Sequence, residues 1–469
     1  MTRIYPKASQ GSAIRIAKPS IFLVLLIALY LSPLQAEDLL TVYNQAVQED
    51  PQLEKAREAL EAVKETQTQA SASLFLPEAY ITGNINTDWQ HIKNRGNAII
   101  AGDPTQTATT SENFNTLSYT LSVTQPILHY DRIAQWQQAD SRIAQGIAQF
   151  AAAESALLLR VAERYFAVLA AEENLGYAQA QQESLAQKLE ETKLHEAAGY
   201  LAMTDVQEAQ GGSDRAVADA IKAEHQLRDA RESLQEITGI HYNQLAALKE
   251  DIPLVQPEPA VEGTWVEQAL SQNLGLKASE YASQIAKAEI DVQKAGHWPT
   301  IDATGSHSFN ATGGRFGAAD IEDNTLGLSL NVPLFQGGKV SSRIREAEHR
   351  YREAKAAFKQ EQRAVQRIAS QAFLGVTAGI SRVKALQQTL KSSEIAAKGT
   401  EAGFRAGYRT PLDVIIAERE RLNAQRDYTQ ARYDYILSTL RLKQAVGTLA
   451  PEDLAKVNEW LGSTPIDKK

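Results

Sequence analysis

The chain has 469 residues, 43% hydrophobic and 22% charged, with no cysteine. Disulfides, thiolate metal sites and a lipidated cysteine are excluded, and the formal net charge of −9 argues against nucleic acid as a partner. Without the basic N-terminal region the balance becomes 44 Lys+Arg against 57 Asp+Glu (44 − 57 = −13).

Residues 1–36 read as a signal peptide. Arg3, Lys7, Arg15 and Lys18 precede the apolar run Ile21 to Leu31, about 11 residues, too short to span a bilayer as a helix. Cleavage after Ala36 leaves Glu37 at the mature terminus, with Leu34 where a small residue is usual.

Each half of the remainder carries two strand-like stretches. The first pair is expected over about 78–90 and 116–126. In the second of these, Leu117, Tyr119, Leu121 and Val123 alternate with Ser118, Thr120, Ser122 and Thr124, up to Pro126. The later pair is expected over 300–312 and 324–333, where Leu326, Leu328, Leu330 and Val332 alternate with Gly327, Ser329 and Asn331 before Pro333. Period-two alternation over about ten residues marks strands with one apolar and one polar face. Polar loops, His91 to Asn115 and Gly313 to Asn324, join each pair. Trp89 and Trp298 read as anchors at a membrane–water interface.

Long helices follow. No proline occurs from Ile127 to Ile252, or from Leu334 to Thr410, and both runs are dense in Ala, Gln, Glu, Arg and Leu. Leu158, Val161, Tyr165, Val168, Glu172 and Leu175 form a heptad-like seam with one polar intruder. A helix from about Tyr130 to Ala198 would be on the order of 100 Å long, so it belongs to an elongated assembly. Further long helices are expected over 337–446, and residues 461–469 are expected to be a disordered tail.

The chain is also written twice. Ala198-Gly199-Tyr200 with Thr204-Asp205 returns as Ala406-Gly407-Tyr408 with Asp413, an offset of 208 (406 − 198). Pro126 is echoed by Pro333, offset 207, and Leu76-Pro77 by Trp298-Pro299, offset 222. Units of this length are too long for a solenoid and imply a duplicated gene with halves 37–257 and 258–460. Strands in hydrocarbon must close on themselves. Four per chain cannot close alone, two chains give a filled eight-stranded barrel, and three give twelve strands with room for a lumen. The expected fold is an α+β membrane protein: a homotrimeric 12-stranded outer-membrane β-barrel continuing into a long α-helical coiled-coil barrel.

Several strings then resemble the TolC family of outer-membrane channel-tunnels: Glu37-Asp38-Leu39-Leu40-Thr41-Val42-Tyr43, Thr204-Asp205-Val206-Gln207, Gly296-His297-Trp298-Pro299-Thr300, Gln336-Gly337-Gly338 and Ala431-Arg432-Tyr433. The likeness covers roughly residues 37–458. It implies a trimer in outer-membrane lipid that crosses the periplasm and docks, through a periplasmic adaptor (membrane fusion) protein, onto an inner-membrane RND or ABC transporter. Such a duct exports drugs, other toxic small molecules or proteins, needs no cofactor and is not an enzyme.

Gly199 and Gly407 each end a long helix, Thr204 is placed to cap the next one, and Pro411 stands just inside another. These are good helical hairpin turns in their own right. The resemblance makes Gly199, Tyr200, Gly407 and Tyr408 the adaptor-docking points. It makes Thr204, Asp205, Glu401, Phe404, Arg409 and Arg432 a gate, with Asp205 pairing Arg409 or Phe404 and Arg432 holding the neighbouring helix. Asp413 and Ile416 become the pore constriction. The alternative is ordinary surface charge on helix ends, worth about 0–1 kcal/mol per pair. Ile416 stands where the family has a second constriction acid, and His195-Glu196-Ala197 replaces more aromatic and basic residues. Gly211-Gly212 interrupts a helix at about 1 kcal/mol per glycine and reads as a tolerated irregularity. No His pair has helical metal-ligand spacing, and no phosphate loop or nucleophile elbow occurs. A passive porin would need no long helices, and a periplasmic coiled-coil adaptor or scaffold would need no period-two strands.

Overall fold

The computed structural model describes residues 36–93, 109–313 and 318–462. The expected signal peptide except its last residue, parts of both polar loops and the last seven residues lie outside these. Two helices, α1 (Leu39–Glu49) and α2 (Pro51–Phe75), lead into the hairpin β1 (Glu78–Lys93) and β2 (Thr109–Leu128), then into α3 (Tyr130–Ala197) and α4 (Met203–Thr238). After the short β3 (Ala247–Leu248) the series returns as α5 (Glu262–Gln272), α6 (Leu274–Lys294), β4 (Thr300–Thr312), β5 (Ala319–Asn331), α7 (Lys339–Arg405) and α8 (Pro411–Val446). The chain continues through α9 (Pro451–Asn458) to β6 (Leu461–Gly462). Helix α3 has 68 residues and α7 has 67, while α4 and α8 have 36 each.

The hairpins form one antiparallel sheet in the order β1-β2-β4-β5. Ile81 lies opposite Leu121, which lies opposite His307, and Tyr119 lies opposite Phe309, so one face carries the large apolar side chains. Beside them, Thr82 is opposite Thr120 and Thr120 opposite Ser308, making the other face polar. Three strands extend beyond the expected bounds at their loop ends. There Asn113, Asn115, Glu322 and Asp320 put polar residues on the apolar side too, so apolar alternation stops before the ladder does. The apolar face is not uniform: His307 contacts the Tyr119 hydroxyl at 3.4 Å and Asn324 Oδ1 at 2.9 Å. Among the described residues no helix is long and apolar enough to cross a membrane.

The principal core joins both halves. Leu158, Val161, Tyr165 and Val168 of α3 are buried there beside Leu39 and Val42 of α1 and Tyr433, Ile436 and Leu440 of α8. The polar intruder Glu172 leaves the seam to pair with Arg231 of α4 at 2.8 Å. The Tyr165 hydroxyl donates to the carbonyls of Glu37 and Ala246. One expectation is corrected here: Leu461 and Gly462 are not part of a tail. They pair with Leu248 and Ala247, and the Leu461 side chain is buried in the core.

In each half the capping residue of a shorter helix also ties that helix to a longer one. Asn273 accepts the Leu276 N–H at the start of α6 (2.9 Å) and donates to the Ala445 carbonyl at the end of α8 (2.8 Å). One side chain thus satisfies orphan groups of two helix ends. In the other half Asp50 caps α2 through the Leu53 N–H at 2.9 Å and pairs with Arg160 of α3. Gly211 and Gly212 lie inside the unbroken α4, and a Cβ at either would meet nothing.

Candidate functional site at the two helix turns

The two turns are built alike. Gly199 follows α3 with φ +78° and Gly407 follows α7 with φ +79°, a region costly for any residue with a Cβ. Their N–H groups bond to the Glu196 and Phe404 carbonyls, and those of Tyr200 and Tyr408 to His195 and Gly403. Both hydrogen bonds of a Schellman stop are therefore present twice. Tyr200 and Tyr408 project with 79% and 86% of their surface exposed.

The next helices start with an acid at the third position. Asp413 accepts the Thr410 N–H at 2.9 Å and its hydroxyl at 3.0 Å, while the Asp413 N–H returns to Thr410 Oγ1 at 3.2 Å. This is a closed capping box with Pro411 in the first turn. The hydrogen bonds from Thr410, with a smaller pull from the Arg409 charge, hold the Asp413 carboxyl below its ordinary pKa of 3.8. In the first turn Thr204 is not the cap. The helix begins at Met203, so the cap position falls to Ala202, whose N–H donates to the Asp205 carboxylate at 2.9 Å. Ala202 has no side-chain oxygen, so the Asp205 N–H goes to the Ala202 carbonyl at 3.0 Å instead, and only the carboxylate half of a capping box forms.

The remaining expected gate residues are dispersed in a single chain. Glu401 pairs along its own helix with Arg405 at 2.6 Å. The Phe404 ring lies under the Lys188 ammonium of α3, 4.4 Å from the ring centre. The stem of Arg409 covers Gly403, where a Cβ would come within 2.9 Å of its Cγ. Among the described residues Asp205 makes no ion pair with Arg409. Arg432 is 19 residues from Asp413 (432 − 413), roughly 28 Å along a helix. It is buried, donates to the Lys249 carbonyl and packs on the Tyr428 ring. Ile416 is partly exposed one turn inside α8. Trp89 is largely exposed at the outer part of β1, and Trp298 packs at a tilt against Tyr130, ring centres 4.5 Å apart, at the other end of the sheet.

Sequence patterns did not reveal the polar lock between α3 and α8. Glu173 accepts the Tyr433 hydroxyl at 2.6 Å and the Tyr177 hydroxyl at 3.2 Å, and Tyr177 also contacts Thr429 at 3.3 Å. Burial, reinforced by the Glu173 charge, pushes the Tyr177 phenol up to about 12 and that of Tyr433 well above its ordinary value. The signal was present as two adjacent acids, Glu172 and Glu173, inside a helix seam, but sequence cannot show that a tyrosine 260 residues away reaches one of them.

The arrangement is a pair of capped turns, each with a projecting tyrosine and an acid at the next helix start. It offers charge and contact surface, which suits gating and docking. The family described as outer membrane efflux protein matches residues 42–240 and 265–448. The outer membrane protein TolC of Vibrio cholerae is 32% identical over 434 residues, covering 92% of this chain and 95% of that protein. The proteases secretion protein PrtF of Dickeya chrysanthemi is 26% identical over 96% of this chain and 97% of its own length. The crystal structure of the Campylobacter jejuni CmeC outer membrane channel shares the fold, with a TM-score of 0.73 over 98% of both chains at 14% identity. With more than half its length matched, and with a relative above 30% identity spanning nearly all of it, the chain belongs to the outer membrane efflux protein family.

Proposed function

We propose that three copies of this chain share one twelve-stranded barrel in the outer membrane and extend their long helices through the periplasm as a closed duct. The carrying observation is the sheet, four strands with one apolar and one polar face, leading into helices of 68 and 67 residues. A membrane-embedded sheet has to close, and a lumen-bearing barrel needs more strands than two chains supply. The duct carries small molecules or proteins outward from an inner-membrane RND or ABC transporter through a periplasmic adaptor. Tyr200 and Tyr408, at glycine-stopped turns, are the surface offered to the adaptor.

The duct is gated at those turns, with Asp413 as a ring of three carboxylates and Ile416 as an apolar ring beside it. Because one chain does not bring Asp205 to Arg409 or Phe404, the ties that close the gate must form between copies. The 1–36 leader, the repeat boundary near 257 and interface anchoring by Trp89 and Trp298 belong to the same reading. Two measurements test it. Outer-membrane fractions should give heat-resistant trimers, and single-channel conductance should be low and rise several-fold in Asp413→Ala or Arg409→Ser. Monomers only, or a wide-open wild-type channel, would overturn it.

A further inference from the structure

Where the α6–α8 joint sits between the two longest helices, the fold leaves a cavity of about 650 Å³. One wall is a face of α3, at Ala152, Ser155 and Leu159, and another is a face of α7, at Ile368, Ala372 and Gly375. Each set steps by three and four residues, so it lies along one stripe of its helix. Small side chains on both stripes leave the space between them open. The start of α6, at Leu274 and Gly275, and the end of α8, at Gln444 and Ala445, supply the rest of the lining. The volume falls within the range of small-molecule pockets, about 300–1,000 Å³.

The polar groups of the lining can be accounted for in turn. Asn273 uses its oxygen on the Leu276 N–H and its nitrogen on the Ala445 carbonyl. Arg441 donates to Glu163 at 2.8 Å, Ser438 donates to the Asp434 carbonyl at 2.7 Å, and Gln371 accepts from Arg367 at 2.8 Å. Ser155 is the exception. It is 7% exposed, and its hydroxyl is buried without a hydrogen-bond partner. Buried polar groups are nearly always paired, so this one points to a ligand. Leu274 and Gly275 share the cavity with it, at the start of α6, where backbone N–H groups have no acceptor within their own helix. Hydrogen-bond donors thus stand beside the apolar surface of Leu159, Leu274 and Ile368.

We propose that this cavity binds an uncharged, largely apolar molecule carrying a hydrogen-bond-accepting oxygen, with that oxygen held by the Ser155 hydroxyl. Charge decides against ionic ligands of either sign. Among the described lining residues Arg441 is the one cation, and Glu163 already pairs it. Glu361 Oε1 stands 3.9 Å from where a Cβ on Gly275 would be, so an anion would meet a carboxylate. A cation would face the positive end of the α6 dipole. The site is built within one chain, away from the helix turns, and requires neither the gate nor an adaptor. A molecule bound there would touch α3, α6, α7 and α8 together.

Benzophenone is a direct probe: it is an uncharged diaryl ketone whose carbonyl accepts a hydrogen bond and whose excited state adds to nearby C–H bonds. The full-length protein in detergent is irradiated with it and digested, and labelled peptides are quantified by mass spectrometry. Peptides covering 152–159 and 368–375 should be labelled several-fold above the strand peptides 78–93 and 319–331, which report partitioning into detergent. An excess of phenyl benzoate, an uncharged ester, should displace label from the cavity peptides alone. Ser155→Ala should lower cavity labelling roughly two- to tenfold, the range for one hydrogen bond. Gly375→Leu should abolish it, because a Cβ there meets only Ser438 Oγ, at 4.0 Å, and the added side chain fills the space without moving the backbone. Cavity labelling no stronger than that of the strands, unaffected by phenyl benzoate, or retained in Gly375→Leu overturns the site. Equal labelling of wild type and Ser155→Ala overturns the anchor. The competition uses the unmodified protein, so it decides the matter even if Gly375→Leu fails to fold.

Discussion

Asp413 is committed to its own helix before it meets any ion. Its carboxyl accepts two bonds from Thr410, which is why it stays ionised below pH 3.8. A folded-state pKa depressed below the unfolded value contributes stability above that value and loses it as pH falls through the folded one. The second turn should therefore hold at neutral pH and loosen only in acid below about pH 3.8. Amide exchange of a peptide spanning 405–415 would show this, and Thr410→Ala should already exchange faster at neutral pH. The glycines permit a sharper comparison. Gly407→Ala should cost about 1–2 kcal/mol, the penalty of the left-handed backbone alone, because a Cβ there meets nothing. Gly447→Ala should cost clearly more, since its Cβ would come within 2.6 Å of the Gln272 carbonyl oxygen. Melting temperatures of the two variants would rank them. Thr204 shows where residue-level reading stopped: it is a favourable cap residue, but the turn closes two positions earlier, and capping is decided by where the backbone leaves the helix.

Helix α8 is two helices in behaviour. Among its described side chains, none is buried from 412 to 421, whereas Leu422, Ala431, Tyr433, Ile436 and Leu440 are packed into the fold. Within the packed part, the hydroxyls of Tyr177 and Tyr433 converge on Glu173. Both phenols have raised pKa values, so the lock is intact below the ordinary value of 10 and fails as pH climbs toward the folded values, about 12 for Tyr177. Alkaline titration followed by tyrosinate absorbance should show late-ionising phenols in the native protein, one of them lost in Tyr433→Phe. That variant should also lower stability by about 1.5–3 kcal/mol, the range for a hydrogen bond to a charged group. The long helices and alternating strands were legible in the chain because proline spacing and periodicity are local signals. The lock, the Asn273 joint and the β6 return were not, because each joins residues that no local pattern relates.

At the scale of the whole molecule, the duplication was the most legible feature, and the strand registers reproduce its offsets residue for residue. The halves differ where charge matters, since Ile416 leaves Asp413 as the single acidic ring of the proposed constriction. Weak block by multivalent cations is expected, and Ile416→Asp should strengthen it at least tenfold in single-channel recordings, through a second ring of carboxylates. Equal block in both proteins would remove Asp413 from the pore axis.

The joint at Asn273 has a mechanical meaning. The carbonyl end of α8 meets the amide end of α6, so the negative end of one macrodipole faces the positive end of the other and each terminus finds its complement. Beside this jointed strut, α3 and α7 run without interruption. A thrust delivered at the turns would travel along the unbroken pair as compression, while any bending would concentrate at the joint, where the Asn273 amide and the small apolar cluster of Leu276 and Val446 replace a continuous helix backbone. Stiffness along the axis and compliance at one level thus meet at the side chain of Asn273, whose amide oxygen serves one helix end and whose amide nitrogen serves the other.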